Sequence, residues 1–86
     1  MLELIYAPAF LRKLKKLEPD LQNEVVEKLK LFKDSSNYKQ LMVHKLKGPF
    51  KNHYSFSVNY NFRIIFSYAS LKEVNILEIG DHKIYK

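Results

Sequence analysis

The chain has no cysteine, so neither a disulfide framework nor a thiolate metal site can be built from it, and a reducing interior such as the cytosol is the expected compartment. Only two glycines and three prolines occur, which argues against a linker or a disordered segment. Long apolar runs are missing as well. Nothing approaches the ~18 consecutive apolar residues of a membrane span, and the opening Met1-Leu-Glu-Leu-Ile-Tyr6 lacks the charged and apolar regions of a signal peptide. Acidic residues are the scarcer charge, nine against fifteen Lys and Arg, leaving a formal net charge of +6. A field of that sign attracts nucleic acid, an anionic membrane surface or an acidic protein, and charge alone does not choose among them. The 86 residues suit one small domain covering 1–86, able to bury only roughly 60% of the surface its unfolded form exposes.

What is present is patterned. Leu2 to Tyr6 reads as a short first strand. Pro8 is well placed for the first turn of a helix, where its missing N–H is not needed. Phe10, Leu14 and Leu17 then recur at helical spacing, with Arg12, Lys13, Lys15 and Lys16 between them on a solvated face. Glu18-Pro19-Asp20 ends that helix and starts another, in which Leu21, Val25, Leu29 and Phe32 repeat at i, i+4, i+8 and i+11. Asp34-Ser-Ser-Asn37 has the composition of a helix end and turn. A connecting segment, Tyr38 to Phe50, carries a second basic cluster of Lys39, Lys45, Lys47 and, just beyond it, Lys51, with His44 and His53 nearby.

The last third organises the rest. Tyr54, Phe56 and Val58 alternate with Ser55, Ser57 and Asn59, the period of two of a half-buried strand. After the Asn59-Tyr60-Asn61 break, Phe62, Ile64, Phe66 and Tyr68 interleave with Arg63, Ile65 and Ser67, apolar on both faces as a central strand requires. Ala69 to Lys72 makes a turn, Val74 to Ile79 forms a third strand, and Gly80-Asp81 reads as the turn after it. The fold class is α+β, in the order β-α-α-β-β-β, with a helical hairpin packed on one face of a small, mainly antiparallel sheet. The other face is then a shallow open groove, into which Ser55, Ser57 and Arg63 project by parity. A guanidinium is rarely placed in a central strand unless that face meets a partner or an anion. The plain alternative is a cross-strand ion pair between Arg63 and Glu78.

The element order, Lys45-Leu-Lys-Gly48, the hairpin from Tyr54 through Phe-Arg-Ile-Ile-Phe66, and the ending Ile79-Gly-Asp-His-Lys-Ile-Tyr85 together resemble the RelE/ParE superfamily of toxins from bacterial type II toxin–antitoxin systems. The resemblance covers almost the whole chain. It implies a microbial-RNase-like fold, a cytoplasmic toxin that enters the ribosomal A site and cleaves messenger RNA, a cognate antitoxin that wraps it, and no cofactor or metal. RelE proper carries lysines where this chain has Ser55 and Ser57. The YoeB-like and YafQ-like branches have a glutamate or a histidine, respectively, at the position of His44, and a histidine at that of His82. YafQ-like proteins also use a histidine and an aspartate where Ser57 and Asn61 stand. The ParE branch poisons DNA gyrase without nuclease chemistry, and a degenerate partner-binding module is a further reading.

RNA cleavage by 2′-hydroxyl attack on the adjacent phosphate needs a base for the 2′-OH, a cation for the growing phosphoryl charge, and an acid for the departing 5′-oxygen. Histidine carries protons in either direction near neutral pH. With the resemblance placing them around one groove, the chemistry suggests His44 as base, Arg63 as phosphate clamp and His82 as acid, the two histidines being interchangeable in role on the sequence alone, with Tyr85 stacking on or orienting a base or binding the phosphate. Lys45, Lys47 and Lys51 would hold the RNA backbone, joined on that side by His53, Ser55 and Ser57. Each also has an ordinary reading: His53 as a surface residue of a basic loop, His82 as a strand end satisfied by Asp81 or the backbone, Asp81 as a cap on the Gly80 turn, and the hairpin aromatics as core.

Overall fold

The computed structural model describes residues 1–48 and 52–81. Its elements are β1 (Glu3–Tyr6), α1 (Pro8–Lys16), α2 (Pro19–Phe32), a 3-10 turn (Ser35–Asn37), β2 (His44–Lys45), β3 (Tyr54–Ser57), β4 (Phe62–Tyr68) and β5 (Glu73–Asp81). Both helices start on a proline, whose absent N–H is one the first turn leaves unpaired anyway. Lys13, Lys15 and Lys16 fill the last turn of α1, where cations favour the helix dipole. The α1–α2 corner is closed by Gln22, whose Nε2 donates to the Leu17 carbonyl at 2.7 Å and the Lys15 carbonyl at 3.3 Å. Asp34 stops α2: its carboxylate accepts the Ser36 backbone N–H at 3.0 Å and opens the 3-10 turn. That backbone bond, helped by the Ser36 side chain, lowers the Asp34 pKa from its ordinary value. Among the described residues no helix is long and apolar enough to cross a membrane.

The sheet has five strands in the order β1-β5-β4-β3-β2. β3, β4 and β5 form the expected antiparallel meander, and β1 lies parallel to β5. Two details differ from the sequence reading. His44–Lys45, read as connecting chain, is a short edge strand antiparallel to β3, continued by the Leu46 N–H donating to the His53 carbonyl at 2.9 Å. Two residues are too few to show an alternation, so the strand exists only because β3 offers an edge. Gly80 and Asp81 are not a turn but the last residues of β5, opposite Arg63 and Phe62; the start of β4 supplies their pairing partners.

The core lies between the helices and one face of the sheet, where Phe10, Val25, Leu29 and Phe32 meet Phe56, Ile64, Phe66, Val74 and Ile76. Phe32 is its hub, with ring centroids 4.4 Å from Phe56, 4.7 Å from Phe66 and 5.4 Å from Tyr38. Burial, followed by the neighbouring Tyr68, raises the Tyr38 phenol pKa well above its ordinary value. A bulge in the β4–β5 pairing decides which residues of β5 face the site. Ile65 is opposite Glu78 but Phe66 is opposite Ile76, so Leu77 is the extra residue. In an unbroken strand Ile76 and Ile79 would point to opposite faces. With the bulge both are buried, at 0% and 2% exposure, and Glu78 and Gly80 turn to the face that carries Arg63.

Candidate active site

Residues paired across neighbouring strands share a face. On the face away from the helices, one row runs His44, Ser55, Ile65, Glu78, and the next runs Ser57, Arg63, Gly80. The parity expected for Ser55, Ser57 and Arg63 is therefore realised, and the bulge and the edge strand add Gly80 and His44 to it. The face is not the uniformly open groove expected. Ser55 and Ile65 are 0% and 5% exposed, whereas Ser57, Arg63 and Gly80 are only half-buried. Direct contact between Ser55 and RNA is thus closed off by burial. Its hydroxyl instead lies 3.5 Å from Nε2 of His44, at the outer limit of a hydrogen bond.

His44 is exposed at the sheet edge, and its Nδ1 lies 3.0 Å from the Met42 carbonyl oxygen. A carbonyl can only accept, so in the neutral ring Nδ1 carries the proton and Nε2 keeps its lone pair. The acceptor comes from an unusual backbone. Met42 has φ +58°, a left-handed conformation costing a non-glycine residue roughly 1–3 kcal/mol. Its side chain is 59% exposed, with Sδ 3.8 Å from Ser57 Oγ. Met42 therefore links the His44 end of the face to the Ser57–Arg63 row. Strand spacing and rise put the Cα atoms of His44 and Arg63 about 12 Å apart, two strands across and one row along.

Arg63 has small neighbours on both sides, Ser57 and Gly80, so its guanidinium is not walled in. Nη1 donates to the Asn59 backbone carbonyl at 3.1 Å. The cross-strand pair with Glu78 does not form. Glu78 stands opposite Ile65 rather than Arg63, and Lys13 of α1 takes its carboxylate at 2.6 Å. That is the one ion pair among the described residues, so the partner that the structure gives Arg63 there is the neutral Asn59 carbonyl.

The remaining residues divide. Lys45 shares a face with Tyr54, on the helix side of the sheet, and does not join Arg63. Lys47 is exposed just past β2. His53 is half-buried, its Nδ1 buried without a hydrogen-bond partner among the described residues. Lys51, His82 and Tyr85 lie outside the described residues. No group of three or more His, Asp or Glu among the described residues is arranged to hold a metal ion. Two contributors escaped the sequence reading. Asn59 has a legible signal in the Asn-Tyr-Asn break, since asparagine folds its side chain onto nearby backbone in turns. Met42 has none, because nothing in its chemistry announces a left-handed backbone.

Residues 9–82 match the HigB-like toxin family, described as the RelE-like toxin of the type II toxin–antitoxin system HigB. No curated protein sequence matches significantly. Among solved structures, the chain is similar to a conserved hypothetical protein of Helicobacter pylori, at 24% identity and TM-score 0.70 over 96% of this chain and 97% of that one. It is similar to the YoeB–YefM complex of Staphylococcus aureus, at 17% identity and TM-score 0.73 over 95% and 98%. The toxin–antitoxin complex RelBE2 of Mycobacterium tuberculosis aligns at 21% identity and TM-score 0.72 over 93% and 96%. At these identities the structural likenesses concern the fold, while the family match spans most of the chain. The chain belongs to the RelE-like HigB toxin family of type II toxin–antitoxin systems.

Proposed function

We propose that this toxin is a ribosome-dependent endoribonuclease that cleaves messenger RNA without a metal ion, using the sheet face away from the helices. What supports the reading is the presence on that face of a histidine whose Nδ1 is engaged by the Met42 carbonyl, which in the neutral ring leaves the Nε2 lone pair for a proton, together with an arginine that forms no ion pair among the described residues. His44 takes the proton of the 2′-hydroxyl at Nε2 as the 2′-oxygen bonds to phosphorus. Arg63 stabilises the charge growing on the phosphoryl oxygens. The bond from phosphorus to the 5′-oxygen breaks, and that oxygen receives a proton from His82, an acid assigned by the sequence pattern alone. The products are a 2′,3′-cyclic phosphate and a 5′-hydroxyl end. Ser57 lines the phosphate position, and Tyr85 orients a base. Lys47, Lys51 and His53 supply contacts to the RNA backbone, with Lys45 reaching it from the far side of the edge strand.

The partner that restrains this activity is a cognate antitoxin, as in the YoeB–YefM and RelBE2 complexes. The net charge of +6 and the half-open row of Ser57, Arg63 and Gly80 favour an acidic or amphipathic segment laid over the face. Cleavage of ribosome-bound message tests the reading. His44→Ala is expected to slow single-turnover cleavage by about 10²-fold or more, the range general base help supplies, with Tm nearly unchanged because the side chain is exposed. Undiminished cleavage would remove His44 from the chemistry. Arrested replication with a DNA-damage response, in place of truncated messages, would move the protein to a gyrase poison.

A further inference from the structure

Arg63 is held by a piece of backbone that another element holds in turn. Its Nη1 donates to the Asn59 carbonyl at 3.1 Å. The side chain of the same asparagine is fixed at both ends. Oδ1 accepts the backbone N–H groups of Asn61 at 2.8 Å and Phe62 at 2.9 Å. Two donors on one end of the amide identify that end as oxygen, so Nδ2 faces Glu24 of α2 and donates to its Oε1 at 2.7 Å. A loop of three residues, Asn59 to Asn61, is thereby tied to a helix that belongs to the core. Val58 closes the hairpin below it, its N–H donating to the Phe62 carbonyl at 2.9 Å.

We infer that Asn59 is a positioning residue for Arg63: its carbonyl anchors the guanidinium, and its amide, locked between the β3–β4 loop and Glu24, fixes where that carbonyl stands. The inference rests on Arg63 being the phosphate clamp for its relevance to cleavage, but not for the geometry itself. Physically, the arrangement orients a long, rotamer-rich side chain before RNA arrives, so that less side-chain freedom is lost in the complex. It does so through a neutral carbonyl, which leaves the positive charge available to phosphate, as a carboxylate partner would not. Glu24 contributes an acceptor and not its charge, which sets apart what its variants should do.

Asn59→Asp keeps an oxygen for the two loop N–H groups but turns a second carboxylate oxygen toward Glu24, in place of a donor. Glu24→Gln keeps an acceptor for Asn59, whereas Glu24→Ala does not. The order of the Arg63 side chain, read from 15Nε relaxation in the protein without RNA, should match wild type in Glu24→Gln and fall in Asn59→Asp and Glu24→Ala. Unchanged order in Asn59→Asp would overturn the inference whether or not the protein cuts RNA. Affinity for a 2′-O-methyl RNA oligonucleotide, which cannot be cleaved by 2′-hydroxyl attack, supplies the second readout. Asn59→Asp should weaken binding about threefold to tenfold, and should add nothing in an Arg63→Ala background, because residues acting through one another are not additive. Full additivity at unchanged Tm would assign Asn59 a role apart from Arg63. Normal coupling in a protein that cuts no message would leave Asn59 as the anchor of Arg63 and reject the nuclease reading instead.

Discussion

Arg63→Ala is expected to lower single-turnover cleavage of ribosome-bound message by about 10²–10³-fold, the loss that follows removal of one group aimed at charge developing in a transition state. The side chain is half-buried and, among the described residues, makes one hydrogen bond, to a loop carbonyl, so the fold should survive its truncation, and a thermal melt checks that it does. Arg63→Lys separates charge from geometry. An ammonium retains the positive charge but loses the planar fork that meets two phosphoryl oxygens at once, so it should recover only part of the rate. Full activity in the lysine variant would mean that general positive potential, and not a directed clamp, is what the site requires. Had Arg63 been paired with Glu78, the alanine variant would have left a half-buried carboxylate without its partner and confounded the result. Lys13 holds that carboxylate, which makes the experiment interpretable.

The largest effect on stability is expected at Phe32→Ala. Phe32 is 0% exposed, stacks on Phe56 and meets Phe66 at a tilt, with ring centroids 4.4 and 4.7 Å away. It is the last residue of α2, so it joins that helix to the two strands that position Ser57 and Arg63. Deleting a buried phenyl ring costs about 3–5 kcal/mol, part lost transfer energy and part cavity. For a domain of this size, at roughly 0.05–0.15 kcal/mol per residue, that is between about a quarter of the stability and all of it. Urea denaturation at low temperature should find the midpoint reduced by at least about a quarter, or the variant largely unfolded. Phe32→Leu, which keeps most of the volume, should cost less and leave activity measurable. A Phe32→Ala variant with an unchanged midpoint would show that the aromatic cluster is not what joins the helices to the sheet.

How far the sequence could be read depended on whether a signal was local. The helices announced themselves through apolar spacing and through Pro8 and Pro19, each of which starts a helix. β4 was legible because apolar residues on both parities demand a central strand, and it is third of five. Ser57 and Arg63 followed from the same alternation. The bulge at Leu77 was not legible, since Val74, Ile76, Leu77 and Ile79 are consistent with either face until the partner strand fixes the register. The edge strand at His44 was hidden by its brevity. As a consequence His44 could be given a role but not a place, and Lys45, expected with Lys47 and Lys51 to hold the RNA backbone, is sent by the register to the face away from Arg63. Burial of Ser55 was also out of reach, because a serine at polar parity reads as solvated unless its surroundings are known.

The central claim is that one face of this sheet carries out 2′-hydroxyl attack with His44 and Arg63 on adjacent rows. Its most direct test is the chemistry of the ends left on messenger RNA when ribosomes stalled on a defined message are treated with the purified toxin in the presence of EDTA. A 2′,3′-cyclic phosphate on the upstream fragment and a 5′-hydroxyl on the downstream one, formed by the wild type and lost together in His44→Ala and Arg63→Ala, is the predicted result. Intact message, cleavage that EDTA abolishes, or fragments ending in 3′-hydroxyl and 5′-phosphate would contradict it.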